Sequence, residues 1–121
     1  MLEFIDIGMA NAVAYRLDGK ITEEEMRSVL SLFRDKIDKG EPLLVYQEIV
    51  GLEGVEVKAM AEKLKFFRDA GLSHFSKVAV VTHRKWIHKL VDLEDRLFKH
   101  IDMRGFPFEE KAGAIDFLKR P

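Results

Sequence analysis

At 121 residues the chain has the length of one domain, and folding at that size buries roughly two-thirds of the surface the unfolded chain exposes, enough for one core. With 20 basic against 21 acidic residues the net charge is -1, so the chain lacks the positive excess through which a dedicated nucleic-acid binder gains affinity for phosphates. The lack of cysteine excludes disulfides, cysteine-ligated zinc and thiol catalysis, and an apolar share of 47% excludes a disordered chain.

The opening Met1-Leu2-Glu3-Phe4-Ile5-Asp6 has no basic start and no apolar run of signal length, so the expected location is the cytoplasm. No stretch of about 18 apolar residues is present to span a bilayer, which leaves peripheral contact with the inner membrane through an amphipathic helix. Residues 2–7 and 12–17 are β-like runs joined by Gly8-Met9-Ala10-Asn11, a link that favours an antiparallel hairpin. Asp18-Gly19-Lys20 breaks the pattern, and Thr22 followed by Glu25 forms a capping box that starts a helix. Met26, Val29, Leu30, Phe33 and Ile37 share one face of that helix, and Gly40 marks its end.

Residues 43–50 are apolar at most positions without alternation, as in a central strand covered on both faces. Gly51-Leu52-Glu53-Gly54 reads as a flexible loop. From Val55 the positions Val57, Met60, Ala61, Leu64 and Phe67 return to helical spacing until Ala70-Gly71, and residues 77–82 form another buried-strand run. A third helix is expected over residues 84–99, a short strand over 101–104, and a last helix after Pro107 with Ala112, Ile115, Phe117 and Leu118 on its apolar side. The order predicts a single α/β domain over residues 1–121. Its expected sheet has five strands, mixed, with an N-terminal antiparallel hairpin followed by parallel right-handed crossovers, and four α-helices.

No catalytic motif assembles from these residues. Ser28, Ser31, Ser73, Ser76, Thr22 and Thr82 lie in no nucleophile elbow or triad-like context. The Gly51 to Gly54 turn lacks the lysine of a phosphate-binding loop, and Glu53 repels phosphate. His83 and His88 face different sides of a helix, and His88 with Asp92 makes only half a metal site, so no metal or cofactor is expected. Glu48 lies near the carboxyl end of the central strand, where open α/β sheets place ligands, but reads as an exposed strand-end glutamate with no second polar group beside it.

The third predicted helix carries the strongest surface signal. Trp86, Leu90, Leu93 and Leu97 form one apolar row and Ile87, Val91 and Phe98 an adjoining one, with Arg84, Lys85 and Lys89 flanking the tryptophan. Phe66 beside Phe67 on the second helix adds apolar surface. Deep burial in the core is the plain alternative for Trp86 and Phe66. The functional expectation is a groove between the second and third helices in which Phe66, Phe67, Trp86, Leu90 and Leu93 take an apolar ligand, while Arg84, Lys85 and Lys89 contact an anionic head group or membrane surface. If no lipid covers that face, it favours a homodimer.

Five stretches taken together carry a family resemblance. They are Leu17-Asp18-Gly19-Lys20-Ile21-Thr22, the strand from Leu43 to Glu48, Lys77-Val78-Ala79-Val80-Val81 followed by Trp86, Arg104-Gly105-Phe106, and Ala114-Ile115-Asp116-Phe117-Leu118. Their order and spacing over nearly the whole chain resemble the SpoIIAA-like proteins, which belong with the STAS domains of sulfate transporters and anti-sigma-factor antagonists. The resemblance implies a mixed sheet with helices and a non-enzymatic role. STAS antagonists carry a phosphorylatable serine or threonine in the loop after the third strand; here residues 50–54 hold no hydroxyl, so that switch is not expected. SpoIIAA-like domains also resemble the lipid-binding Sec14 (CRAL-TRIO) domains, which implies the apolar-ligand role. The alternative is a STAS-type interaction module that docks a protein partner through Gly51, Leu52, Glu53 and Gly54.

Overall fold

Five strands form one sheet in the order β1 (Leu2–Phe4), β2 (Ala12–Ile21), β3 (Leu43–Val55), β4 (Phe75–Thr82) and β5 (Asp102–Phe106). The computed structural model describes residues 1–55, 66, 74–84, 87 and 101–120. β1 runs antiparallel to β2, and the other neighbours pair in parallel, which is the mixed sheet expected. β1 is shorter than its apolar run, because after the Ile5 bond to Ala14 the Asp6 carboxylate turns the chain by accepting from the Gly8 N–H at 2.8 Å. Two α-helices stand among the described residues rather than four: α1 (Glu23–Asp38) and a C-terminal helix (Lys111–Lys119). The second predicted helix, apart from Phe66, and nearly all of the third lie outside the described residues.

α1 begins where the capping box requires. Thr22 is extended (φ -86°, ψ 163°), its hydroxyl accepts from the Glu25 N–H at 3.1 Å, and the Glu25 carboxylate accepts from the Thr22 N–H at 3.1 Å. The other Glu25 oxygen accepts from the Leu2 N–H at 2.6 Å, fastening the first strand to the helix start. Burial alone pushes the Glu25 carboxyl up, but the Thr22 and Leu2 N–H groups together hold it below its ordinary value. Thr22→Ala is expected to cost about 1 kcal/mol in urea denaturation, since it leaves a helix-terminal N–H without its partner. At the other end Gly40, at φ +76°, donates to the Ile37 carbonyl at 2.9 Å, a left-handed stop that favours glycine.

Alternation along the strands divides the core in two. Val13, Tyr15, Val45, Ile49, Val78 and Val80 face α1, where Val29, Leu30 and Phe33 are buried. Ala14, Leu44, Tyr46, Ala79 and Val81 face Ala114, Phe117 and Leu118 of the C-terminal helix. Both faces of β3 and β4 are therefore covered, the physical reason for their unbroken apolar runs. Pro107 leads into a 3-10 turn (Phe108–Glu110) before the C-terminal helix. At the far end of that helix the Lys77 ammonium donates to the Phe117 carbonyl at 3.0 Å and to that of Arg120, and a cation there suits the negative end of the helix dipole.

The expected breaks at Asp18-Gly19-Lys20 and at Gly51-Leu52-Glu53-Gly54 are not breaks. Each segment continues its strand because it pairs with the other: Asp18 lies opposite Gly51, Lys20 opposite Gly54 and Ile21 opposite Val55, with register shifts beside Asp18. Gly19 takes φ +79° within this irregular stretch. A Cβ on Gly51 would meet the Asp18 carboxylate at 3.3 Å, so the strands approach closely here because that position is glycine. Turn-forming residues that look like terminators on each strand alone are continuous paired strand when the strands lie side by side, with the extra residues of the irregular register on β3.

Candidate functional site

The parallel strands all end at one edge of the sheet, the side on which α/β folds place ligands. Glu48, one residue before the last β3–β4 pair, has a side chain only 3% exposed, so it is not the solvated strand-end glutamate its position suggests. It sits on the C-terminal-helix face, opposite Arg16 on β2. Arg16 Nε donates to Glu48 Oε1 at 3.2 Å, Lys111 Nζ pairs with the same oxygen at 3.1 Å, and the Tyr46 hydroxyl donates to Oε2 at 3.0 Å. Arg16 also reaches the exposed Glu3 on β1 at 3.5 Å, so Glu3, Arg16 and Glu48 form a charged row across three strands.

Burial pushes the Glu48 carboxyl up, but the hydrogen bonds from Lys111 and Tyr46, the Lys111 charge and the Arg16 bond outweigh it and hold the group ionised. The same arrangement raises the Tyr46 hydroxyl well above its ordinary value, first through burial and then because ionising it would set a second anion against Glu48. A general base works best with a pKa near the working pH and a lone pair open to substrate. Glu48 is shifted the other way, and three donors already hold its oxygens. Chemically, the cluster anchors the first residue of the C-terminal helix to the middle of the sheet. Among the described residues no buried side-chain nitrogen or oxygen lacks a partner.

Beyond Glu48 the edge is built from contacts between β3, β4 and the 3-10 turn. The Thr82 hydroxyl donates to the Ile49 carbonyl at 2.8 Å, and His83 Nε2 lies 3.0 Å from the Val50 carbonyl. The His83 ring meets Phe108 edge-on at 5.2 Å. Arg84 donates to Glu109 from Nε at 2.9 Å and from a terminal nitrogen at 2.6 Å. The Glu109 carboxyl is held low by its own backbone N–H and by Arg84.

Arg84, expected at an anionic head group, is thus exposed but engaged by an acidic neighbour. Phe66, expected in the ligand groove, is 4% exposed and packs in the α1-side core, its ring 6.1 Å from that of Phe33. Phe67, Lys85, Trp86, Lys89, Leu90 and Leu93 lie outside the described residues. Gly51, Leu52, Glu53 and Gly54 are strand, not loop. An open hollow of about 480 Å³ beside the start of α1 is lined, among the described residues, by Thr22, Glu23, Glu24 and Arg27, a wall with two carboxylates that does not suit an anion. No described group of three or more His, Asp or Glu side chains is arranged to hold a metal, and no described helix is long and apolar enough to cross a membrane.

The sequence did carry one signal for the Glu48 cluster. An ionisable residue inside a strand apolar on both faces needs a charged partner. Which partner depends on strand register and on where the last helix lands, and neither is written locally.

The SpoIIAA-like family model matches residues 12–119, from the first residue of β2 to the last of the C-terminal helix. The chain belongs to the SpoIIAA-like family. A crystal structure of an uncharacterized protein from the DUF3478 family with a SpoIIAA-like fold, from Shewanella loihica PV-4, is similar to it with a TM-score of 0.74 at 18% identity, over 98% of this chain and 92% of that one. At that identity the likeness shows the fold. No curated protein matches the chain. In this SpoIIAA-like chain β3 runs to Val55, so the loop after the third strand starts later than residue 50. The shift supplies no phosphate acceptor, because no Ser, Thr or Tyr occurs from Gln47 through Leu72.

Proposed function

We propose that this SpoIIAA-like domain is a non-catalytic interaction module that takes an extended segment of a protein partner along β3 beyond its last pair with β4. The observation that carries the reading is the unequal length of the strands. β4 pairs with β3 only as far as Ile49 opposite Thr82, whereas β2 follows β3 to Val55 through Gly51, Gly54 and Val55, so this end of β3 is paired on the β2 side only among the described residues. Backbone groups left unpaired at a sheet edge are a template for strand addition. The engaged, ionised Glu48 supports a scaffold role for the buried charge nearby and not acid–base chemistry.

The test is recovery of partners from lysate by the immobilised domain and by Glu53→Lys, with circular dichroism to verify folding. The expected result is a stoichiometric partner captured by the native chain and lost with the variant. Equal recovery by both would sink the reading.

The basic and apolar pattern around Trp86 supports a second reading, an apolar ligand or an anionic membrane surface. Trp86 is the single tryptophan, so its fluorescence reports directly: a shift with anionic vesicles but not neutral ones is expected on this reading, and no change with any lipid or fatty acid removes it.

A further inference from the structure

The Glu3–Arg16–Glu48–Lys111 row does more than neutralise a buried carboxylate. Arg16 and Lys111 both end on Oε1 of Glu48, which makes the two cations neighbours although one comes from β2 and the other from the C-terminal helix. Within the core of the row two positive charges face one negative, and the Glu3 carboxylate, paired with Arg16 from the edge strand, brings the row to neutrality. The Arg16 and Lys111 side chains are 35% and 43% exposed, so both cations reach solvent while the glutamate beneath does not. One terminal guanidinium nitrogen of Arg16, Nη2, has no hydrogen-bond partner among the described residues, and Lys111, whose ammonium also lies 5.7 Å over the Phe108 ring, retains protons beyond the one given to Glu48.

Glu3 shows what kind of group these two cations attract. Its carboxylate is drawn toward Arg16 Nη1 but stops at 3.5 Å, the outer limit of a hydrogen bond, and the side chain stays 55% exposed. An anchored pair would sit closer. Glu48 fixes the guanidinium from behind through Nε, so its outer edge is held in place as a fork for a planar anion.

We propose that Arg16 and Lys111 form a binding site for a carboxylate, and that Glu3 is its weak internal competitor. A single negative charge taking the place of Glu3 keeps the row neutral, whereas a phosphate dianion would overshoot neutrality and face the buried Glu48. The carboxylate belongs to a small organic acid or to an acidic side chain of a protein. The site rests on this geometry and not on strand addition at β3, so the two readings fail separately.

The test is an NMR titration that follows the Arg16 Nε–H signal, with sodium acetate against sodium chloride at matched ionic strength. Saturable shifts with acetate alone are expected. Glu3→Gln, on an exposed edge position, should tighten acetate binding about two- to fivefold, the span of an exposed ion pair, with the rest of the amide spectrum unchanged. A tri-glutamate peptide that binds more tightly than its three carboxylates allow statistically assigns the site to a protein partner, and parity with acetate assigns it to a small acid. The proposal is overturned if acetate acts like chloride, if inorganic phosphate binds more tightly than acetate, or if Glu3→Gln leaves the midpoint where it was.

Discussion

Glu48→Ala is expected to destabilise the domain by about 3 kcal/mol at pH 7, near the lower end of what breaking a buried ion pair costs. The substitution leaves the buried Tyr46 hydroxyl without its acceptor and removes the carboxylate that holds Lys111, and with it the C-terminal helix, against β3. The loss stays at the lower end because Arg16 and Lys111 are partly solvated and recover hydration. Urea denaturation read by far-ultraviolet circular dichroism measures it. The neutral variant Glu48→Gln adds a pH signature. Because the folded-state carboxyl is held below its ordinary value, its contribution is fully present above that value, near 4.5, and is lost as pH falls through the lower folded value. The stability gap between the native chain and Glu48→Gln should therefore be constant from pH 7 down to about pH 5 and close on further acidification. A gap that is the same at pH 3 as at pH 7 would contradict the ionised, paired state.

Phe66→Ala is expected to cost about 3–5 kcal/mol, the range for truncating a buried phenylalanine. Phe66 lies in an aromatic cluster in which Phe33 also meets Phe75 edge-on at 5.3 Å and Tyr15 at 6.4 Å, and the Arg34 guanidinium sits 5.5 Å over the Phe66 ring. This measurement separates two roles for one residue. A core residue takes stability with it when truncated, whether or not any ligand is present. A residue lining an open groove would cost less than about 1 kcal/mol, and its loss would show as reduced stabilisation by added fatty acid. The same thermal or urea melts, run with and without fatty acid, decide between them.

These predictions share a physical origin in the covered sheet. A strand buried on both faces gives no alternation to read, so the apolar run from Leu43 announces a central strand but not which of its residues look toward which helix. Pairing makes that assignment: Tyr46 and Glu48 toward the C-terminal helix, Val45 and Ile49 toward α1. Glu48 is conspicuous in the sequence as a charge among apolar neighbours, yet Arg16 is 32 positions earlier and Lys111 comes from a helix that starts 63 positions later. Only the register of β2 against β3 and the landing of the last helix bring the three together.

Local chemistry was sufficient where its consequences are local. Thr22 and Glu25 cap α1, Gly40 ends it in a left-handed turn, Pro107 opens the final helical segment, and the two early β-like runs pair antiparallel. Each of these is settled within a few residues by hydrogen bonds and sterics, so the α/β class and the mixed five-stranded sheet could be read from the chain. The sequence also excludes a hydroxyl acceptor anywhere from Gln47 through Leu72, wherever the third strand ends. Tertiary structure alone decided the rest. It turned Asp18-Gly19-Lys20 and the Gly51 to Gly54 segment from breaks into paired strand of irregular register, took Phe66 into the core, and buried Glu48 beneath Arg16 and Lys111. The reason is that backbone pairing and charge neutralisation are satisfied between segments distant in the chain, and a residue's own neighbours carry no record of the partner it will meet.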